Sequence, residues 1–248
     1  MWQNVGYERC LSFINCQLGP KDKRGAVEPQ VKPAITISRM TGAGGHTIAG
    51  KLAEYLQTRA PAHCHWTVFD RNLMEKVMED HHLQKRIAEY IPEKHKSLLA
   101  DTVEELLGLH PSSWTLVEQT AETILHLAKL GYVILVGRGA HLITSNLNNV
   151  FHVRLVGSLE KRIEQVQKVH NLGREAALDY IHREDRGRRR YLKEHFGKDA
   201  DDPLLCHLVI NTDRINYDDA TRLIGDEVIH RFHLDRRVDL VELQGRGS

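Results

Sequence analysis

The sequence predicts an α/β fold in which a parallel, doubly wound sheet of five strands is flanked by helices. Two observations carry this. Short runs rich in aliphatic and β-branched residues, at 34–37, 65–70, 132–136, 150–156 and 207–211, alternate with longer segments whose apolar residues recur at helical spacing. The first of these runs also passes through a glycine turn straight into a helix. That geometry points backbone N–H groups and a helix N-terminus at an anion.

The first stretch reads Ile35-Thr-Ile-Ser-Arg-Met-Thr-Gly-Ala-Gly-Gly-His-Thr-Ile-Ala-Gly50. It opens with a β-branched run, Ala34 to Ile37, which reads as a parallel strand buried on both faces. The turn uses Gly42, Gly44 and Gly45, and the helix after it, 46–57, sets Ile48, Leu52, Tyr55 and Leu56 on one face. The phosphate-loop signature G-x-x-x-x-G-K-[ST] is not matched. Aligned on Gly42-Ala43-Gly44, the lysine position is Gly45, the hydroxyl position is His46, and Thr47 comes one place later. The first-glycine position is Arg39. The loop has the shape of an anion cradle without its lysine.

The second strand, from His65, ends in Asp70-Arg71, a charged pair at a carboxyl end, where open parallel sheets bind ligands. Asp is also a favoured helix N-cap. From Asn72 to about His110 the text is helical, punctuated by Pro92 and Pro111, and no strand intervenes, so these helices form a flap between strands two and three. An amphipathic helix at 116–130 stops at Gly131. The apolar third strand runs directly into Gly137-Arg138-Gly139. In the fourth strand, His152 and Arg154 predict partial exposure. Ser158 caps the next helix. A long charged helix spans about 174–196, the last core strand is 207–211, and a helix at 218–232 closes the chain. Residues 1–32 read as an extension whose apolar piece, 10–18, is a candidate to dock, and 235–248 as a tail.

Net charge is +1, from 34 basic and 33 acidic side chains, so no global field points to nucleic acid or to a membrane surface. There is no membrane-length apolar run and no signal-peptide pattern at the N-terminus. Four cysteines without C-x-x-C pairing suit a reducing cytoplasm. His63-Cys64-His65 supplies too few ligands for a zinc site.

Three charged features fall at strand carboxyl ends: Arg39, Asp70-Arg71 and Arg138. Arg183, Arg186 and Arg190 follow the spacing i, i+3, i+7 on the long helix, which lines three guanidiniums along one face, with Arg188 and Arg189 on other faces. Phosphoryl transfer asks mainly for positive charge placed around the moving group, and arginine forks suit phosphate. The same ridge also reads as a solvated, salt-bridged face.

Taken together, ITISRMTGAGGHTIAGKLA at 35–53, VFDRNLMEKV at 68–77, VILVGRGAHLI at 133–143, VRLVGSLEKRIEQV at 153–166, IHREDRGRRRYLKEHFGKD at 181–199 and LVINTDRINYDDATRLI at 208–224 resemble the cytidylate kinase-like family, relatives of nucleoside monophosphate kinases with a P-loop fold. The resemblance covers roughly 34–232. It implies a kinase-like domain at 33–234, an acceptor-binding flap at 71–112 and a lid at 168–200. It implies that Gly42, Ala43, Gly44, Gly45, His46 and Thr47 hold the phosphates of ATP, with Mg2+ bridging them and Thr47 as a magnesium ligand. Asp70, Arg71 and Arg138 would meet a small acceptor, by default a nucleoside monophosphate such as CMP. Arg183, Arg186 and Arg190 would act from the lid, and Asn211 to Arg214 would lie near the donor base. Genuine cytidylate kinases end this loop in Gly-Lys-Ser-Thr, whereas the lysine-less G-x-G-G form is common in the kinase-like subfamily. Arg39 is the available replacement for the charge and Thr47 for the hydroxyl, and His46 adds charge only when protonated. Two rival readings stay open: a nucleotide-binding sensor or scaffold without turnover, and a nucleic-acid surface at Arg183–Arg190, which the near-neutral net charge disfavours.

Overall fold

The computed structural model describes residues 8, 11–17, 31–62, 64–73 and 115–235. Most of the sequence-predicted flap, 74–112, lies outside them. The elements are β1 (Ala34–Arg39), α1 (Gly45–Arg59), β2 (Thr67–Phe69), α2 (Thr115–Leu130), β3 (Val133–Val136), the one-turn α3 (Ala140–Ile143), β4 (Val150–Val156), α4 (Leu159–His170), α5 (Arg174–Phe196), a 3-10 turn (Pro203–Leu205), β5 (Leu208–Asn211) and α6 (Tyr217–Arg231). The five strands form one sheet in the order β2-β3-β1-β4-β5. Every pairing is parallel, with Ile35 beside Ile134 on one side and Phe151 on the other.

β1 lies at the centre because its sequence can be buried on both faces: Ile35 and Ile37 are no more than 1 % exposed. The chain runs from β1 out to the edge strand β2, back to β3, and then across β1 to β4. Connections therefore leave in opposite directions around β1, and the carboxyl ends of β1, β3 and β4 open onto a common crevice. α6 packs on α1 closely enough that a Cβ at Gly225 would lie 2.5 Å from the Tyr55 ring, and Tyr55 donates to Asp226 at 2.6 Å. α4 and α5 share a separate small core of Ile163, Val166, Ala177 and Ile181. Ser158 is the N-cap of α4, accepting from Lys161 N–H.

Two sequence expectations are corrected. The first concerns β4, where His152 and Arg154 are each 5 % exposed. Both are buried because both have partners. His152 Nδ1 lies 2.8 Å from Thr36 Oγ1, its backbone N–H donates to His207 Nδ1, and the two rings stack at 5.0 Å. Arg154 donates to Ser38 at 3.0 Å and to Asp201 at 2.5 Å. The second concerns the cysteines: Cys16 and Cys64 form a disulfide across Cα atoms 5.8 Å apart. It ties the helical piece at 11–17 to the segment leading into β2, and this piece enters the main core through Phe13 and Ile14.

The buried histidines predict an acid-sensitive fold. Burial, then the neighbouring His207, pushes His152 down to about 3, and burial, then Arg154, pushes His141 down to about 4. Their folded pKa values lie below the unfolded value near 6.5, so unfolding takes up protons and stability falls as pH drops below about 6.5. The loss runs down to about 4 for His141 and about 3 for His152. Between pH 7.5 and 5.5 the two together should remove about 2–3 kcal/mol. Urea unfolding at both values checks this, with His152→Asn expected to flatten the dependence; equal stability at the two pH values contradicts it.

Candidate active site

The loop between β1 and α1 is built by three close approaches that only glycine permits. Gly42 and Gly44 have φ of 83° and 82°. A Cβ at Gly42 would lie 2.5 Å from the Arg162 carbonyl oxygen, and one at Gly44 would lie 2.5 Å from the Tyr217 ring. The loop is thus clasped from below by α4 and from the side by the start of α6. Gly44 is the N-cap of α1, which has no side-chain cap and no acidic residue in its first turn. The N–H groups there and the positive end of the helix dipole have no side-chain compensation, which favours an anion. His46 and Thr47 stand exposed on that turn.

Gly45, at the lysine position, has a specific neighbour. A Cβ there would lie 2.9 Å from Arg39 Cγ, so the Arg39 stem fills the space that a side chain at 45 needs. The Arg39 guanidinium reaches across to β3, where a Cβ at Gly137 would overlap Nη1 and sit 3.1 Å from Cζ. Gly137, Arg138 and Gly139 all have positive φ, 88°, 53° and 70°. This left-handed run, costly for the arginine, clears room for Arg39 and turns the chain into α3. Burial, then the Arg188 charge, lowers Arg39 to about 10, so it remains a cation at neutral pH. No carboxylate among the described residues lies within ion-pair distance of it.

His46 differs. Desolvation at the loop mouth, then the Arg39 charge, holds it below the usual histidine range, so it is neutral at pH 7. Its Nδ1 is 3.7 Å from Asp70 Oδ2. Asp70 itself caps the turn after β2, its Oδ1 accepting from Leu73 N–H at 2.9 Å. Both meanings of Asp70, helix cap and site residue, are therefore compatible in one carboxylate.

The loop makes its strongest polar contacts with α5, through residues that sequence reasoning left aside. Thr41 donates both its N–H and its hydroxyl to Asp185 Oδ1, at 2.9 and 2.6 Å. Arg162 Nη1 donates to Asp185 Oδ2 at 2.6 Å and to the Thr41 carbonyl at 3.2 Å. Arg188 donates to Asp185 at 3.0 Å and to the Thr41 hydroxyl. Burial works against ionisation of Asp185, but the Thr41 and Arg162 hydrogen bonds and the Arg188 charge outweigh it and hold the carboxyl below its usual range. A cavity of about 30 Å³ at the end of β1 is lined by Arg39, Arg154, Arg188 and Arg189, with Asp185 and Asp201. The spacing of Asp185 and Arg188, three apart on one helical face, was the available signal for this cluster.

Arg183, Arg186 and Arg190 point the other way. They are exposed and line a surface groove of about 510 Å³ formed by α5 residues alone, with Asp179 and His182. Arg183 lies over the Tyr180 ring, and Arg190 is 3.7 Å from Glu194. The structure does not bring these three to the loop. Arg71 is exposed beside Asp70, and Arg138 is half-buried near Tyr191. Asp213, in the segment after β5, accepts from Ser158 N–H at the start of α4 at 2.9 Å, and Tyr217 at the end of that segment meets Gly44 of the loop.

The described residues contain no group of three or more His, Cys, Asp or Glu placed to hold a metal. At the loop mouth the side-chain oxygens include the exposed Thr47 hydroxyl and the Asp70 carboxylate.

The chain matches the cytidylate kinase-like family over residues 34–214 and belongs to it. That membership places it among kinase-like proteins. An uncharacterized protein from Eubacterium ventriosum ATCC 27560 superimposes with a TM-score of 0.62 at 18 % identity, over 79 % of this chain and 98 % of that one. That likeness bears on the fold alone. Shikimate kinases from Bacteroides thetaiotaomicron and, in complex with shikimate, from Acinetobacter baumannii also align, each at 14 % identity, with TM-scores of 0.38 and 0.37. They cover 85 % and 81 % of this chain, and 98 % and 94 % of their own. No curated protein sequence is significantly similar to this chain. No described helix is long and apolar enough to cross a membrane.

Proposed function

We propose that this protein transfers the γ-phosphoryl group of ATP to a small acceptor, by default a nucleoside monophosphate such as CMP, with Arg39 in place of the loop lysine. The observation that carries this reading is the exclusion between positions 39 and 45: the Arg39 stem stands where a side chain at 45 would go. Lysine loss and arginine gain then form one exchange of cation, made from the other side of the loop.

In this reading the amides of Gly42 to Thr47 cradle the donor phosphates at the uncapped start of α1. The Thr47 hydroxyl would hold Mg2+ carried on ATP, and the ion would supply neutralisation of the donor phosphates' charge. Arg39 and Arg188 stabilise charge that develops on the transferring group, where fixed guanidiniums need no reorganisation. Arg138, Asp70 and Arg71, at the ends of β3 and β2, face the acceptor. Arg183, Arg186 and Arg190 join the site only if α5 turns or a second ligand meets its outer face. We place the enzyme in the cytoplasm, where both nucleotides are at hand.

A nucleotide-binding module without turnover is the second reading, and Gly45 favours it, because the lysine normally present there takes part in transfer. Calorimetric titration with Mg·ATP and with a non-hydrolysable analogue, followed by a coupled assay across CMP, UMP, dCMP and AMP, separates the two. The kinase reading expects micromolar binding and ADP formation with at least one acceptor. Binding without ADP formation selects the silent module, and absence of binding removes both.

A further inference from the structure

Three guanidiniums, those of Arg39, Arg162 and Arg188, converge beside one short loop, and their mutual repulsion needs an answer. Arg39 sits in the field of Arg188, and Arg188 in that of Arg162. The carboxylate of Asp185, itself 8 % exposed, answers it. It receives the Thr41 N–H and hydroxyl on one oxygen and Arg162 on the other, with Arg188 bridging it to the Thr41 hydroxyl. Arg162 Nε is buried and makes no hydrogen bond among the described residues, so the cluster holds an unspent donor close to the loop.

We propose that Asp185 is a positioning residue for phosphoryl transfer: by gripping the Thr41 peptide it seats α5 on the loop and, braced by Arg162 beneath, holds Arg188 beside Arg39. This rests on the kinase reading above. The carboxylate touches no substrate. It acts through the two arginines, whose forks hold their direction only while bound on one edge. The same grip joins the loop to the helix whose outer face carries Arg183, Arg186 and Arg190, so any movement of α5 is felt at Thr41.

Asp185→Asn keeps the shape and removes the charge. Its expected effect is a fall in kcat of about 100-fold with KM for Mg·ATP and for the acceptor within about three-fold. Thr41→Val should lower kcat as well, and the double variant should fall short of the product of the two effects, because both remove one shared linkage. Asp185→Glu should recover part of the loss. If Asp185 only stabilises the fold, Asp185→Asn lowers the melting temperature while kcat, measured well below it, is unchanged; that result overturns the proposal, as does strict additivity with Thr41→Val. Where Asp185→Asn does not fold, the kcat against KM split in Thr41→Val decides in the same way. A wild type inactive on every acceptor sinks the kinase reading and is separable. In that case amide exchange at Thr41 reports on the grip alone, expected about ten-fold faster in Asp185→Asn with the middle of α1 unchanged, and equal protection overturns it.

Discussion

Gly137→Ala is expected to cost the protein about as much turnover as Arg39→Ala, a fall in kcat/KM of about 100- to 1,000-fold, although position 137 lies at the end of a different strand. The reason is spatial. A methyl group at 137 would overlap Arg39 Nη1, and the backbone there, at φ 88°, already disfavours any side chain. The overlap falls on the far end of a long side chain, so the clash is relieved by displacing the guanidinium rather than the backbone. Arg39 must therefore swing out of the crevice, and the charge it provides to the donor phosphates leaves with it. The two variants should not combine. On an Arg39→Ala background the overlap is gone, and Gly137→Ala should add only the backbone strain of about 1–2 kcal/mol in stability and little in kcat/KM. Mg·ATP affinity and initial rates for the four proteins close this cycle. Full activity in Gly137→Ala would show that Arg39 does not work from where it lies.

Gly137-Arg138-Gly139 was legible in the sequence as a turn at the carboxyl end of β3, but one of its contacts was not. Sequence pattern brings Arg138 to the sheet edge and attaches the meaning to that arginine. The structure adds that Gly137 exists to accommodate Arg39, a contact between residues 98 positions apart that no local pattern carries. The strands and long helices were readable because each obeys a local rule. Uniform burial gives apolar runs in β1 and β3, a serine caps α4 at Ser158, and a left-handed Gly131 ends α2. Burial of His152 and Arg154 was not readable, since composition says a charged side chain seeks water, while the partners that reverse this come from distant chain, Thr36 and Ser38 from β1 and Asp201 and His207 from the segment before β5. The same holds for α5. Helical spacing sorts Arg183, Arg186 and Arg190 onto one face and Asp185 and Arg188 onto another, but it does not say which face meets the loop. Two hydrogen bonds from Thr41 decide that.

The pairing of Cys16 with Cys64 has the largest expected effect on stability. The two are 48 residues apart, so in the chain-entropy account the cross-link removes about 4 kcal/mol of freedom from the unfolded chain, and measured effects run at about 2–4 kcal/mol. The bond does more than shorten a loop. It pins the piece that carries Phe13, whose ring meets Phe69 edge to face at 5.7 Å, and Phe69 directly precedes Asp70 at the mouth of the loop. Reduction, or Cys16→Ser with Cys64→Ser, should therefore lower the unfolding free energy by about 2–4 kcal/mol and speed amide exchange around residues 64–73 before exchange in β1 or β4 changes. Denaturant unfolding with and without a phosphine reductant measures the first, and exchange by mass spectrometry the second. In a reducing cytoplasm glutathione would keep the pair as thiols, so the functional reading above assigns the cell the less stable form. Thiol counting on unreduced, denatured protein gives the decision: at least two of the four cysteines should be silent, and four reactive thiols would mean the arm is held by Phe13 and Ile14 packing alone.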